Sequence, residues 1–209
     1  MQDLNRALTD LSLIREQLTR DTQFRGYGPT TLAATGVLAL IVAAVQMRWP
    51  NDPASAVQRS MSLWIWAAAI CFAAIVLEAV WRSRREHGGL ALTMLKSVVE
   101  QFLPAIVAGG LLTVVLEIAV PQSLWMLPGL WQILFSLGVF ASCRYLPRPM
   151  FIVGIWYMAC GLGCLVLTVP RHLFSPWIMG IPFGVGQMLV AAVLQYGRWK
   201  KREEEDEYI

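Results

Sequence analysis

The sequence predicts an all-α fold: a polytopic membrane helical bundle of six transmembrane helices arranged as three hairpins, with an N-terminal cytoplasmic amphipathic helix. Three observations predict it. The 209 residues are 56% hydrophobic and 15% charged, with a mean hydropathy of +0.54, whereas soluble domains carry about 25% charged residues. The apolar residues fall in six runs, each close to the roughly 20 residues a helix needs to cross about 30 Å of hydrocarbon. The basic residues gather at alternate ends of those runs. This composition argues against a soluble domain and against a disordered chain. A formal charge of +3 is too small for a nucleic-acid footprint, so no nucleic-acid partner is expected.

Residues 1–28 read as a cytoplasmic amphipathic helix and turn. Leu4, Leu11 and Leu18 lie seven apart, with Ala7 and Ile14 between them, and together they form a seam on one face. The other face mixes acids and bases, where a membrane-surface helix would favour Lys and Arg. The seam is therefore a candidate interaction surface, either for a homo-oligomer or for a cytosolic protein partner. Gly26-Tyr27-Gly28-Pro29 breaks this helix and turns the chain into the membrane. The first 25 residues are polar and periodic, so no cleavable signal peptide is expected.

Residues 29–197 form the six-helix domain, with spans at about 30–48, 62–81, 103–120, 124–142, 150–169 and 176–197. The runs are continuous and about twice the length of a barrel strand, so helices are expected. The third span is expected to begin at Leu103-Pro104, with the proline in a first turn where its missing N–H costs nothing. Fourteen of the 17 basic residues lie on the side that holds both termini, which the positive-inside rule makes cytoplasmic. Trp49, Trp64, Trp66, Trp125 and Trp177 fall near the opposite ends, as interfacial indoles should. Residues 198–209 form a cytoplasmic tail that turns from basic to acidic. Arg82, Arg84 and Arg85 between the first two hairpins, and Lys200 and Lys201 in the tail, are candidate lipid-headgroup contacts.

Read in pairs, the spans suggest a threefold hairpin repeat. Each pair opens at a proline (Pro29, Pro104, Pro149), and each first helix carries small residues such as Ala33-Ala34-Thr35-Gly36, Ala108-Gly109-Gly110 and Gly161-Leu162-Gly163. Each second helix starts with Ser-x-Trp, at Ser62, Ser123 and Ser175. Small residues let helix backbones approach closely, so the odd-numbered helices are expected to line the bundle centre. The third hairpin, through Gly154-Ile155, Gly161, Pro170, Gly180 and Gly186-Gln187, resembles the two-helix repeat of the bacterial acid-resistance membrane protein family. The chain as a whole is similar to uncharacterised bacterial six-helix inner-membrane proteins that open with a short polar helix and a Phe-Arg-Gly-Tyr turn, here Phe24 to Tyr27. These resemblances imply a multi-pass protein of the bacterial inner membrane.

Chemistry-bearing residues are sparse. Ionisable groups within spans are functional candidates because they are expensive there, and only Glu78 and Glu117 qualify. Glu78 lies four residues before Arg82 and reads as an interfacial ion pair. Glu117, with the mid-depth Gln132 and Gln187, forms a candidate polar path. The four cysteines lack zinc spacing, His87 and His172 lie on opposite sides, and no catalytic or phosphate-binding motif occurs. No catalytic residue, metal site or cofactor is expected. The expectation is a non-enzymatic membrane protein, structural, regulatory or partner-docking, surrounded by membrane lipids. A small transporter or channel through Glu117, Gln132 and Gln187 is the alternative, and an intramembrane lipid-modifying enzyme the third.

Overall fold

Pro29 starts the first helix where the sequence places it, its missing N–H falling in a turn that lacks intrahelical partners anyway. The computed structural model describes residues 28–48, 53–85, 89–143, 146, 149–168 and 175–207. The N-terminal seam of Leu4, Ala7, Leu11, Ile14 and Leu18 lies outside them. The helices are α1 (Pro29–Gln46), α2 (Pro53–Arg85), α3 (Gly89–Ala119), α4 (Leu127–Ser142), α5 (Met150–Thr168) and α6 (Trp177–Glu207), with a 3-10 turn, Pro121–Met126, leading into α4. Among the described residues, six stretches are long and apolar enough to cross a membrane: Pro29–Gln46, Arg59–Trp81, Lys96–Ala119, Pro121–Ser142, Met150–Thr168 and Trp177–Gly197. No strand occurs among the described residues.

Three helices outrun their apolar stretches. α2 begins at Pro53, α3 begins at Gly89, and α6 continues through the charged tail to Glu207. Pro104 consequently lies inside α3 and not in a first turn. The reason is that the residues before it, including Leu92, Leu95 and Lys96, are good helix formers. Once the chain enters hydrocarbon, its backbone has no partner other than itself, so the helix resumes across the proline. Lys96 and Glu100 pair at 3.7 Å on the exposed stem of α3.

The spans are not equally buried. Within their apolar stretches, α1, α5 and α6 bury 33% of residues and the Pro121–Ser142 stretch 39%, but α2 buries 17% and α3 only 6%. The expectation that the odd-numbered helices line the centre is therefore corrected: α3 is the most peripheral span. The centre belongs to α1, α4, α5 and α6, and the most extensive seams run between α1 and α6 and between α4 and α5.

Glycine makes those seams possible. A Cβ on Gly129 of α4 would stand 2.9 Å from the Gly161 carbonyl oxygen of α5, and a Cβ on Gly161 would stand 2.8 Å from that of Gly129. On the other seam, a Cβ on Gly36 of α1 would lie 2.8 Å from the Gly184 carbonyl oxygen of α6, and Gly180 leaves room for Ala43. Gly110 of α3, by contrast, has open space where its Cβ would be. Phe135 of α4 fills the centre, with ring centroids 5.0 Å from Phe102, 4.6 Å from Tyr157 and 5.5 Å from Phe183. It thereby ties α3 to α4, α5 and α6.

Candidate functional site

Pro182 sits inside α6 and cannot donate a hydrogen bond to the carbonyl one turn earlier, that of Ile178. Gln132 supplies the missing donor. This wholly buried side chain reaches from α4, and its Nε2 donates to Ile178 O at 2.9 Å. The indole Nε1 of Trp156 donates to Pro182 O at 3.0 Å from α5. The break in α6 is thus gripped from two neighbouring helices. Gln132 Oε1 has no hydrogen-bond partner.

Gln187, further along α6, belongs to a different cluster. Thr35 Oγ1 of α1 lies 3.5 Å from Gln187 Oε1 and donates more closely, at 2.8 Å, to its own helix at Leu32 O. The Tyr157 hydroxyl is buried beside Gln187 without a hydrogen bond of acceptable geometry. A Cβ on Gly186 would overlap that tyrosine ring and hydroxyl, so the glycine is what admits Tyr157 to the centre.

A third polar cluster was not marked in the sequence. Gln46, in the last turn of α1, donates from Nε2 to Ser60 Oγ at 2.7 Å and accepts at Oε1 from Trp64 Nε1 at 2.8 Å. All three side chains are buried. Ser60 and Trp64 are one turn apart on α2, and Gln46 meets both. That i,i+4 pairing of two hydrogen-bonding side chains opposite a lone glutamine is the signal that could have found it.

Glu117 lies apart from these. It is exposed near the end of α3, at the end of the bundle where α1 passes to α2, α3 to α4 and α5 to α6. There it lines a cleft of about 160 Å³ between α2, α3 and the 3-10 turn, with Ser62 and Thr113 beside it and Met61, Ile65 and Leu124 as apolar wall. Neither Gln132 nor Gln187 is in its lining. Thr113 Oγ1 donates to Gly109 O at 2.7 Å and accepts from Trp131 Nε1 at 2.9 Å, while Ser62 Oγ donates to Arg59 O at 2.9 Å. The three candidate polar-path residues therefore do not share one cavity. The two glutamines join helices, and Glu117 faces the rim.

Glu78 is half-buried against Gly28, where a Cβ would overlap its carboxylate. This places an anion at the N-terminal end of α1, where the helix dipole favours negative charge. Arg82, the expected partner, ends α2 together with Arg84 and Arg85, and Lys200 and Lys201 continue α6, but these side chains lie outside the description. The four cysteines are free thiols, and no group of three metal-ligating side chains occurs among the described residues. Comparison with known proteins finds no matching family model, no matching curated protein and no matching solved structure. The geometry of this chain is therefore the basis for its function.

Proposed function

We propose that this chain is a non-enzymatic, multi-pass protein of the bacterial inner membrane, with both termini cytoplasmic, that works as a platform for partner docking. One observation carries the reading: among the described residues, Gln132, Ser136 and Tyr157 are wholly buried at the centre. Gln132 bonds α4 to α6, and Gln187 of α6 lies 3.5 Å from Thr35 of α1. A centre packed in this way suits a fixed scaffold. The reading of a transporter through Glu117, Gln132 and Gln187 has less support, because the cleft at Glu117 is lined by neither glutamine. Specificity then falls to the cytoplasmic rim, where the heptad seam Leu4, Ala7, Leu11, Ile14 and Leu18 offers a surface for a second copy or a cytosolic protein. The basic residues of the α2–α3 junction and of the tail would hold that rim against anionic headgroups.

Deletion of residues 1–23 tests the reading. The truncated protein is expected to insert and fold, but to lose self-association or its co-purifying partner when compared with the full chain in mild detergent. An unchanged oligomeric state together with an unchanged set of bound proteins would overturn it.

A further inference from the structure

We propose that Met47 is a site of oxidative modification, and that Trp177 turns its oxidation into a clamp on the α1–α6 seam. Met47 caps the C-terminal end of α1, one residue beyond the apolar stretch Pro29–Gln46, and is 65% exposed. Among the described residues the other exposed methionine is Met188, which lies midway along the apolar stretch Trp177–Gly197. Met61, Met150 and Met179 are buried. A water-borne oxidant therefore meets the Met47 sulfur first.

The surroundings give that oxidation a consequence. Gln46, the preceding residue, is buried and bonded to Ser60 and Trp64 of α2, which fixes the end of α1 from one side. From the other side, Trp177 of α6 donates its indole Nε1–H to Met47 Sδ at 3.4 Å. A thioether sulfur is a weak acceptor. Its second lone pair can attack hydrogen peroxide: the S–O bond forms as the O–O bond breaks, and the sulfur gives up an electron pair to the oxidant. The proton of the transferred oxygen leaves with the departing hydroxide as water. The sulfoxide so formed is polar, and its oxygen is a stronger acceptor placed close to a waiting donor. Methionine has three rotatable bonds, so the oxygen can swing to the indole while the backbone stays where Gln46 holds it. In a core the added oxygen would have to be desolvated, but at this exposed position it does not. Oxidation, which disrupts cores elsewhere, here strengthens the hydrogen bond that joins α1 to α6.

The full-length protein in mild detergent, treated with hydrogen peroxide, tests this. Peptide mass spectrometry follows the gain of one oxygen at each methionine, and thermal unfolding is measured before and after treatment. Met47 is expected to be oxidised ahead of Met188 and of the buried methionines. Wild type carrying the Met47 sulfoxide should unfold about 2–4 °C higher, the shift that one hydrogen bond gives a chain of this size. Trp177→Phe should still be oxidised at Met47 but gain no stability. Met47→Leu should gain none either, and it serves if the first variant folds poorly. Oxidation of Met188 or of a buried methionine ahead of Met47 would overturn the site. An unchanged or lowered unfolding temperature in the oxidised wild type, or an equal rise in either variant, would overturn the clamp.

Discussion

Gln132 owes its place to a proline on another helix. Its bond to Ile178 O matters because Pro182 leaves that carbonyl without its helical donor. A buried carbonyl without a partner costs about 1–3 kcal/mol, although interhelical hydrogen bonds in membranes average nearer 0.6 kcal/mol. Gln132→Leu is therefore expected to destabilise the protein by about 1 kcal/mol. The same substitution beside Pro182→Ala should cost much less, since an alanine at 182 returns the backbone donor to Ile178. Unfolding of the four proteins of this cycle in mixed micelles measures the difference. Equal costs in both backgrounds would show that the glutamine is not compensating for the proline. The mid-depth position of Gln132 was legible in the sequence. Its connection to Pro182 was not, because it depends on which face of α4 meets α6.

At the scale of the helix, glycines that look alike in sequence do opposite things. Gly161 and Gly163 sit two residues apart on α5. A Cβ on Gly161 would press within 2.8 Å of the Gly129 carbonyl oxygen and 3.0 Å of the Ile133 backbone nitrogen, whereas one on Gly163 would meet nothing within 4 Å. Backbone cannot swing aside as a side chain can, so Gly161→Ala should cost about 1–3 kcal/mol. Gly163→Ala should be neutral or stabilising by up to about 1 kcal/mol, the helix propensity that glycine forgoes. Melting temperatures of the two variants in the same detergent are expected to move apart, and parallel losses would contradict the seam described here. The same contrast explains what the sequence could not resolve. Hydropathy is a one-dimensional property, and the six spans were legible within three residues at every end but the start of the third. Small residues state only that a close approach is permitted. Gly109 and Gly110 of α3 carry the same signature as Gly129 of α4, yet Gly110 faces open space and only Gly129 meets another backbone. The start of α3 was misplaced for a related reason: a local rule put Pro104 in a first turn, and the surrounding helix formers in an apolar medium overrode it.

On the scale of the whole molecule, the first and last spans hold the bundle together. α1 lies along α6 through Gly36, Ala39 and Ala43 on one side and Gly180, Gly184 and Gln187 on the other. Trp177 Nε1 also reaches Met47 Sδ at 3.4 Å at the end of that seam. The second and third spans, adjacent in sequence, barely touch and leave most of their surface outward. The order of the chain and the order of packing are thus different, and the difference has a direct consequence. If the chain is divided between α2 and α3 and expressed as residues 1–87 and 88–209, the two pieces should still associate, because the α1–α6 seam joins them. Recovery of the second piece on an affinity tag carried by the first measures this. Gly184→Leu should abolish the recovery, since a Cβ there already stands 2.7 Å from Leu40 and a larger side chain would hold α6 away from α1. Gly110→Leu, facing open space on α3, should leave recovery intact. If both variants associate equally well, the pieces are held by α2 and α3, and the central role given to the α1–α6 seam is wrong.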